Sequence, residues 1–357
     1  MNAASSPEKM SPEDLARIAD RFARSQRLDL ARKFFTLAKR LNLSRKLAAG
    51  QPLTIRVYSA SDDSKDEFRK LLWGDYWVQY ELTRCLGLSG HTVTRIQPDI
   101  VIHLFGFPAT LPRQTYNIAW IYSHPDMAQP QYLAQYDHLF VLSDTFRIHL
   151  QSIGFPSELM IGATSREPYP ATEIRYPAVF IGNARPQADM RNAVKCLLES
   201  GHPFLVWGDH WEQHLPPERI GGLYYENQRL DRLYAGSAFA INDHHEDMRR
   251  YGFVAVKIFD ILASGGFPVS DTNPGIQEIF GDTVPQFSTA SQLQAIFRKY
   301  SPGTAEREML RKRGQQIALS HTWNERAATF SRHIEHAFDP LRVQSDLSRA
   351  FQEHPVP

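Results

Sequence analysis

Two hydrophobic patterns follow one another along the chain. Over residues 11–48, apolar side chains recur at helical spacing in two runs, which predicts two helices packed as a hairpin. From residue 53 onward, short apolar runs of strand length alternate with helical patterns. This alternation predicts an α/β fold with doubly wound parallel sheets, in which ligands bind at the carboxyl ends of the strands.

The strand-like runs fall into two groups, and a chain of 357 residues is long enough for each group to form a domain. The proline-rich stretch SREPYPATEIRYP (165–177) lies between the groups and lacks periodicity, which predicts a linker. We therefore expect four parts: a helical hairpin extension (1–50), an N-terminal α/β domain (51–168), a C-terminal α/β domain (177–320), and a last helix with a polar, loosely held tail (321–357).

Residues 251–277, YGFVAVKIFDILASGGFPVSDTNPGIQ, form the most informative stretch. Its first part has the spacing of an amphipathic helix and places Lys257 and Asp260 one turn apart, with Lys257 expected to be exposed. A short buried strand should follow, and then a new helix whose first amides, at Gly275 and Ile276, point beyond the strand. A cation, a carboxylate and free amides suit the phosphates and ribose of a nucleoside diphosphate.

This stretch resembles the donor-binding segment of the group-1 glycosyltransferases with the GT-B fold, and most of all their spore-maturation-protein-like branch. The residues that carry the resemblance are Gly252-Phe253, Asp260, Ala263, Gly265 and Pro268-Val269. The family usually has glutamate in place of Asp260, and many members have a second glutamate where this chain has Gly252. The resemblance implies two Rossmann-like domains that face a cleft, with the acceptor in the N-terminal domain and the nucleotide sugar in the C-terminal domain. It also implies that the last helix crosses back onto the N-terminal domain.

The resemblance further implies roles in the C-terminal domain. A strand that ends at Gly182 should form a glycine turn, with Arg185 as a second phosphate ligand beside Lys257, while Asp260 accepts from the ribose. Tyr225 falls where the nucleobase pocket would be, although an aromatic ring there could equally be a packing residue. The predicted donor-binding residues are Gly182, Arg185, Tyr225, His244, Lys257, Asp260, Gly275 and Ile276, with His244 as a contact to the donor sugar.

Two residues are candidates for catalysis. His124 follows the apolar run IAWIY, and the pKa of histidine suits a base that takes the proton of an acceptor hydroxyl. It could equally be a hydrogen-bonded cleft residue, and an enzyme that retains the anomeric configuration needs no such base. Asp75, in a predicted WGDY turn, could be the base, an acceptor contact or a turn carboxylate. Asp126 could orient His124 or cap the following helix.

The run Asp243-His244-His245-Glu246-Asp247 makes only a weak case for a metal site, because zinc sites use spaced histidines or cysteines. The chain has no Walker loop, no Gly-x-Gly-x-x-Gly fingerprint, no His-Glu-x-x-His motif and no nucleophile elbow. We expect no metal and no cofactor, since Lys257 and Arg185 could neutralise the diphosphate of a nucleotide-sugar substrate.

Composition limits the partners. Hydrophobic residues at 42% and charged residues at 22% are typical of soluble proteins, and a net charge of +1 does not recruit nucleic acid. Two distant cysteines, without a signal peptide or membrane span, predict a cytoplasmic protein. The many basic residues at positions 21–46 predict one strongly basic helix face. That face could be solvated, could form a dimer contact, or could dock at the inner membrane face or on a charged glycan.

The sequence therefore predicts a metal-independent glycosyltransferase of hexosyltransferase type. Its donor would be a nucleotide-diphosphate sugar, and its acceptor a hydroxyl of a glycan, a lipid-linked sugar or a protein, in glycan or surface polysaccharide assembly. Two other classes fit as well. One is a non-catalytic nucleotide-binding scaffold, which the departures at Gly252 and Asp260 favour, and the other is a sugar-nucleotide epimerase or a phosphorylase of the same fold.

Overall fold

The computed structural model describes residues 10–171, 173–185 and 190–354. Two six-stranded parallel sheets form the α/β part. The first has the strand order β2-β1-β3-β4-β5-β6, with β1 (Thr54–Tyr58), β2 (Thr92–Val93), β3 (Ile100–Phe105), β4 (Tyr116–Ile121), β5 (His138–Val141) and β6 (Glu158–Leu159). The second has the order β12-β11-β10-β7-β8-β9, with β7 (Tyr176–Ile181), β8 (Leu205–Trp207), β9 (Ile220–Gly222), β10 (Ser237–Asn242), β11 (Pro268–Asp271) and β12 (Gln286–Phe287).

Helices cover both faces of each sheet and extend the chain at its two ends. In the described residues they are α1 (Pro12–Arg24), α2 (Leu28–Ala48), α3 (Glu67–Leu71), α4 (Gly74–Leu88), α5 (Pro130–Leu133), α6 (Asp144–Ser152), α7 (Asn192–Ser200), α8 (Leu230–Ala235), α9 (Glu246–Arg250), α10 (Val256–Ala263), α11 (Pro274–Phe280), α12 (Ala290–Lys299), α13 (Ala305–Leu319), α14 (Trp323–Phe338) and α15 (Pro340–Glu353).

The central strands explain why both sheets are parallel and enclosed. Every residue of β3, β4 and β10 is buried, so these strands need apolar cover on both faces, which the crossover helices supply. The expected fold class, two Rossmann-like doubly wound domains with a helical hairpin in front, is confirmed.

Helix α14 crosses back to the N-terminal domain, as the resemblance implied. Its apolar face joins the core of that domain, where Trp120 packs against Trp323 and Phe330 with ring centroids 6.0 and 6.2 Å apart. A β-bridge between Thr164 and Thr322 holds the outgoing and returning chain segments side by side. The outgoing segment at Thr164 and the returning helix α14 therefore connect the two domains side by side.

The segment after Pro340 is not a loose tail. It forms α15, which Asp339 caps by accepting from the amide of Arg342. Val343, Leu347 and Ala350 lie at helical spacing and are buried against α1 and α2. The expectation of a loosely held tail is wrong because a narrow apolar stripe in a polar segment is enough to pack a helix onto the hairpin.

Part of the positive charge predicted for one hairpin face is neutralised by acidic residues. Four basic side chains of the hairpin form ion pairs with acidic residues elsewhere in the chain: the pairs are Lys33–Glu353, Lys39–Asp137, Arg40–Asp346 and Lys46–Asp99. Their partners are distant in sequence, so no local pattern could reveal the pairing. Exposed arginines remain at the tip, at Arg21, Arg24 and Arg27. No helix in the described part of the chain is both long and apolar enough to cross a membrane.

The segment before α10 differs from the prediction. The helix begins at Val256 rather than near Tyr251, because Gly252 has a left-handed φ of +73°. Phe253 is buried in the core of the N-terminal domain and lies edge-on to Phe146, with ring centroids 5.3 Å apart. This segment thus anchors the C-terminal domain to its neighbour before the helix starts.

Candidate functional site

A cavity of about 630 Å³ lies between the carboxyl ends of the two sheets. This volume is within the usual range for small-molecule sites. The cavity is lined by both domains and by the linker, and it brings together most of the residues predicted from the sequence: Asp75, His124, Gly182, Arg185, Tyr225, His244, Lys257 and Asp260.

Gly275 and Ile276 do not line this cavity. The amide of Gly275 donates to Oδ1 of Asn273 (3.0 Å), and that of Ile276 donates to the carbonyl oxygen of Asn273 (3.1 Å). A Cβ on Gly275 would lie 2.0 Å from the carbonyl oxygen of Gly252. The prediction of free amides is therefore wrong: the helix is capped by its own asparagine, and Gly275 allows close backbone packing.

Two glycines bring the ends of β7 and β8 together. Gly182 (φ +151°) donates its amide to the carbonyl oxygen of Trp207 at 2.9 Å, and its own carbonyl accepts from Nε1 of Trp211 at 2.8 Å. A Cβ on Gly208 (φ +150°) would lie 2.3 Å from the same carbonyl oxygen. The glycine turn predicted at Gly182 thus requires a second glycine on the neighbouring strand.

We expect Gly208→Ala to lower the free energy of unfolding by roughly 2–4 kcal/mol, because the methyl group meets the backbone of Gly182 at an unfavourable φ. Urea denaturation measures the change. Gly201→Ala is the matched control, since Gly201 also has a positive φ (+69°) but open space around it. It should cost only about 1 kcal/mol. Equal losses in the two variants would contradict the close approach.

Three cations of the C-terminal domain line the cavity: Arg185, Arg191 and Lys257. Lys257 donates to the carbonyl oxygen of Ile181, and its Nζ lies 4.9 Å from the centre of the Phe180 ring. The side chain is largely buried rather than exposed as expected. Burial, together with nearby Arg191, lowers the pKa of Lys257 to about 7. A bound diphosphate would offset this repulsion.

Arg191 is the cation that sequence reasoning missed. It precedes α7, donates to the carbonyl oxygen of Asn183 (3.0 Å), and pairs with Asp243 through Nε and Oδ1 (2.9 Å). Although burial acts to raise it, the guanidinium holds the pKa of Asp243 below its usual value. Only the fold reveals this pairing, because 52 residues separate the two partners.

Arg185 lies on the same wall of the cavity. Its Nη2 donates to the carbonyl oxygen of His244 at 3.4 Å, and within the described residues no group bonds to its buried Nε. Burial, then the neighbouring Arg191, lowers the pKa of Arg185. A buried guanidinium with an unsatisfied donor is suited to an anionic ligand.

Asp260 and Arg166 meet at the linker side of the cavity. Oδ1 of Asp260 accepts from Oγ1 of Thr164 (2.6 Å), and Oδ2 lies 3.7 Å from Nε of Arg166. Burial raises the pKa of Asp260. Arg166 in turn donates to the carbonyl oxygen and to Oδ1 of Asn227 (2.6 and 2.7 Å), which holds the loop that carries Tyr225. Tyr225 packs edge-on against Trp207, with centroids 5.5 Å apart.

The ring of His244, which was predicted to contact the donor sugar, is held by hydrogen bonds within the protein. Its Nδ1 donates to Oδ1 of Asp271 (2.6 Å), and its Nε2 accepts from the amide of Ala255 (3.1 Å), so both ring nitrogens are occupied. His245 also lines the cavity and is half-buried, and burial, with Arg185 nearby, lowers its pKa to about 3. The sequence alone did not show which of the two histidines is held within the fold.

His124 has an uncommon backbone conformation, with φ +49° in a residue other than glycine. Its Nδ1 lies 3.1 Å from Oγ of Ser123, and its ring lies between those of Phe107 and His245, with centroids 4.7 and 4.4 Å away. Burial lowers the pKa of His124. The imidazole is therefore neutral near pH 7 and can accept a proton.

Asp75 lies in the first turn of α4, so the predicted WGDY turn is the start of a helix. One carboxylate oxygen accepts from the amide of Ser61 at 3.3 Å, and burial raises the pKa of Asp75. Asp126 neither orients His124 nor accepts from the following helix. It forms an ion pair with Arg250 across the cleft.

One cluster in the described part of the chain has the spacing of a metal site: His138, Glu158 and His333, whose ligand atoms lie within 4.8 Å of one another. His138 and Glu158 begin β5 and β6, so the cluster lies at the amino ends of the strands, away from the cavity. The described run 243–247 forms no such group.

Residues 185–332 match the model of a family described as glycosyl transferase-like. This segment carries Arg185, Arg191, Lys257 and Asp260. No curated protein matches the chain.

Solved structures of glycosyltransferases share the fold. Sucrose-phosphate synthase from Thermosynechococcus elongatus is similar, with a TM-score of 0.58 and 10% identity over 81% of this chain and 99% of that one. The T4 phage β-glucosyltransferase in complex with UDP and Mn2+ has a TM-score of 0.57 and 9% identity, over 80% of this chain and 100% of that one. AviGT4, a glycosyltransferase involved in avilamycin A biosynthesis, has a TM-score of 0.55 and 15% identity, over 80% of this chain and 98% of that one. At these identities the likeness shows the fold, which is GT-B.

Proposed function

We propose that this chain is a glycosyltransferase that moves a hexosyl group from a nucleotide-diphosphate sugar to an acceptor hydroxyl. The observation that carries the proposal is the convergence of Arg185, Arg191 and Lys257 with Asp260 in one cavity between two Rossmann-like domains. The glycosyl transferase-like match over residues 185–332 includes all four. The T4 phage enzyme with the same fold has UDP-glucose as its substrate.

Residues of the C-terminal domain would bind the donor, and residues of the N-terminal domain would act on the acceptor. The three cations would bind the diphosphate and stabilise its charge as the bond between C1 and the phosphate oxygen breaks, with the electron pair leaving on the diphosphate. The acceptor oxygen forms the new bond to C1, and its proton passes to His124. Asp75 would accept a hydrogen bond from the acceptor, and Asp260 one from the ribose. Tyr225 would pack on the nucleobase.

We propose that this reaction needs no metal, since three cations already face the diphosphate. The T4 phage enzyme was solved with both UDP and Mn2+, so the point requires a direct test. The proposed setting is glycan or surface polysaccharide assembly, as the resemblance implies.

Product analysis after incubation of the protein with acceptor glycosides and with uridine, guanosine, thymidine or adenosine diphosphate sugars, in EDTA, tests the proposal. A transferase releases a nucleoside diphosphate and forms a glycoside. An isomerised nucleotide sugar would instead identify an epimerase, and binding without any turnover would identify a scaffold. Activity that depends on added Mn2+ would contradict metal independence alone.

A further inference from the structure

The two walls of the cavity differ in charge. All lysine and arginine side chains among its described lining residues come from the linker or the C-terminal domain: Arg166, Arg185, Arg191 and Lys257. The N-terminal wall, defined by the lining residues between positions 60 and 124, contributes Asp75 and Glu81 and, in the described chain, no lysine or arginine. Glu81 pairs with Arg84 at 2.8 Å. Among the described lining residues, the N-terminal wall itself therefore offers no lysine or arginine to an anionic group.

The N-terminal wall instead exposes aromatic rings. Trp73 is 41% exposed and Phe107 is 47% exposed, although both line the cavity. Exposed large apolar groups at a cavity wall indicate a binding surface. Phe107 also packs on His124, which places its ring beside the candidate base.

The backbone beneath Trp73 is held from two sides. Nε1 of Trp77 donates to the carbonyl oxygen of Leu71 (3.0 Å), and Nδ2 of Asn183 approaches the carbonyl oxygen of Leu72 from the opposite domain (3.4 Å). The indole of Trp73 is thus attached to a backbone that is already held in place. Less conformational entropy is then lost when a ligand packs on the ring.

An uncharged sugar ring has the matching chemistry. Its C–H face is apolar and can cover an aromatic ring, while its hydroxyls at the edge can bond to a carboxylate or an imidazole. A phosphate or a uronate packed on this wall would lose water without gaining a lysine or arginine from it, and burying a charge without a partner is costly.

We propose that the acceptor presents an uncharged sugar ring that packs on Trp73 and Phe107 with its reacting hydroxyl against His124. This inference rests on the proposed glycosyltransferase activity. It excludes phosphorylated and acidic sugars from the reacting end of the acceptor.

Acceptor-stimulated release of the nucleoside diphosphate provides the test. Methyl glycosides of glucose, galactose, mannose and N-acetylglucosamine are compared with methyl glucuronide and glucose 6-phosphate. We expect at least one neutral glycoside to stimulate release and both anions to fail. Trp73→Leu and Phe107→Leu should each raise the acceptor KM by about tenfold and leave the donor KM unchanged, because each removes one ring face.

Tyr132→Leu is the matched control, since Tyr132 is 39% exposed but does not line the cavity, and it should change neither KM. Preference for an anionic acceptor, or unchanged acceptor KM in both leucine variants, would overturn the inference. Thermal stabilisation of the wild type by nucleoside diphosphates is measured in parallel. If no nucleotide stabilises the protein, the proposed function itself fails. If one does and the acceptor results are negative, only the inference fails.

Discussion

Lys257→Met is expected to weaken nucleoside diphosphate binding by at least about 30-fold, since removing one buried partner of a charge contact costs about 2 kcal/mol or more. The same change should leave the protein as stable as the wild type or more stable. The reason is that burial and Arg191 lower the pKa of Lys257 to about 7, so the folded state holds this cation unfavourably. Calorimetric titration with the nucleoside diphosphate and urea denaturation measure the two effects.

The pH dependence of binding follows from the same pKa. Above about pH 7 the free protein has partly released the proton of Lys257, and a bound diphosphate favours its return. Affinity should therefore fall as the pH rises from about 7 to about 9, with a slope approaching tenfold per unit. Calorimetry in buffers of different ionisation enthalpy should detect uptake of up to one proton, and Lys257→Arg should abolish it.

Lys299→Met serves as the control, because Lys299 is an exposed lysine that pairs with Glu306 far from the cavity lining. It should alter neither affinity nor its pH dependence. A Lys257→Met protein that loses stability in proportion to its loss of binding would show that Lys257 is a structural residue.

The fold could be predicted from sequence because its signals are local. The strands β3 and β4 are mostly apolar runs, helices such as α14 have clear caps, and the glycines that end α10 stand where the pattern stops. Most of the candidate site followed from the same pattern, since residues after parallel strands meet at one edge of the sheet. His124, Gly182 and Arg185 could be placed at the cavity in this way.

The remaining features depend on contacts between distant residues. Arg191 faces the site because Asp243 holds it there, and Lys39 is turned inward by Asp137. Asp271 holds the ring of His244, whereas the ring of His245 beside it lies against that of His124. The prediction of free amides at Gly275 and Ile276 was wrong for a different reason, because Asn273 caps the helix. A sequence pattern reports which residues share an element, but not the partner that sets each side chain's direction.

His124→Asn is expected to lower kcat by about 10²–10⁴-fold, the usual contribution of a general base, with the affinity for the nucleoside diphosphate unchanged. Asparagine is the suitable replacement because it tolerates the left-handed backbone of His124 (φ +49°), so the fold should be retained. The acid limb of the wild-type rate profile should lie below about pH 6.5, since burial lowers the pKa of His124 and activity is lost only when the ring is protonated.

Comparison of His124→Asn with Asp75→Asn shows which of the two residues is the general base. Burial raises the pKa of Asp75, so a profile that depends on this carboxylate would have its acid limb above the usual aspartate range, and the Asn variant would lose that limb. If His124 is the base, His124→Asn removes the acid limb and Asp75→Asn preserves it, because each residue controls only its own ionisation. If both variants keep near-normal kcat, no base acts in the reaction. Product analysis should then find that the anomeric configuration of the donor is retained.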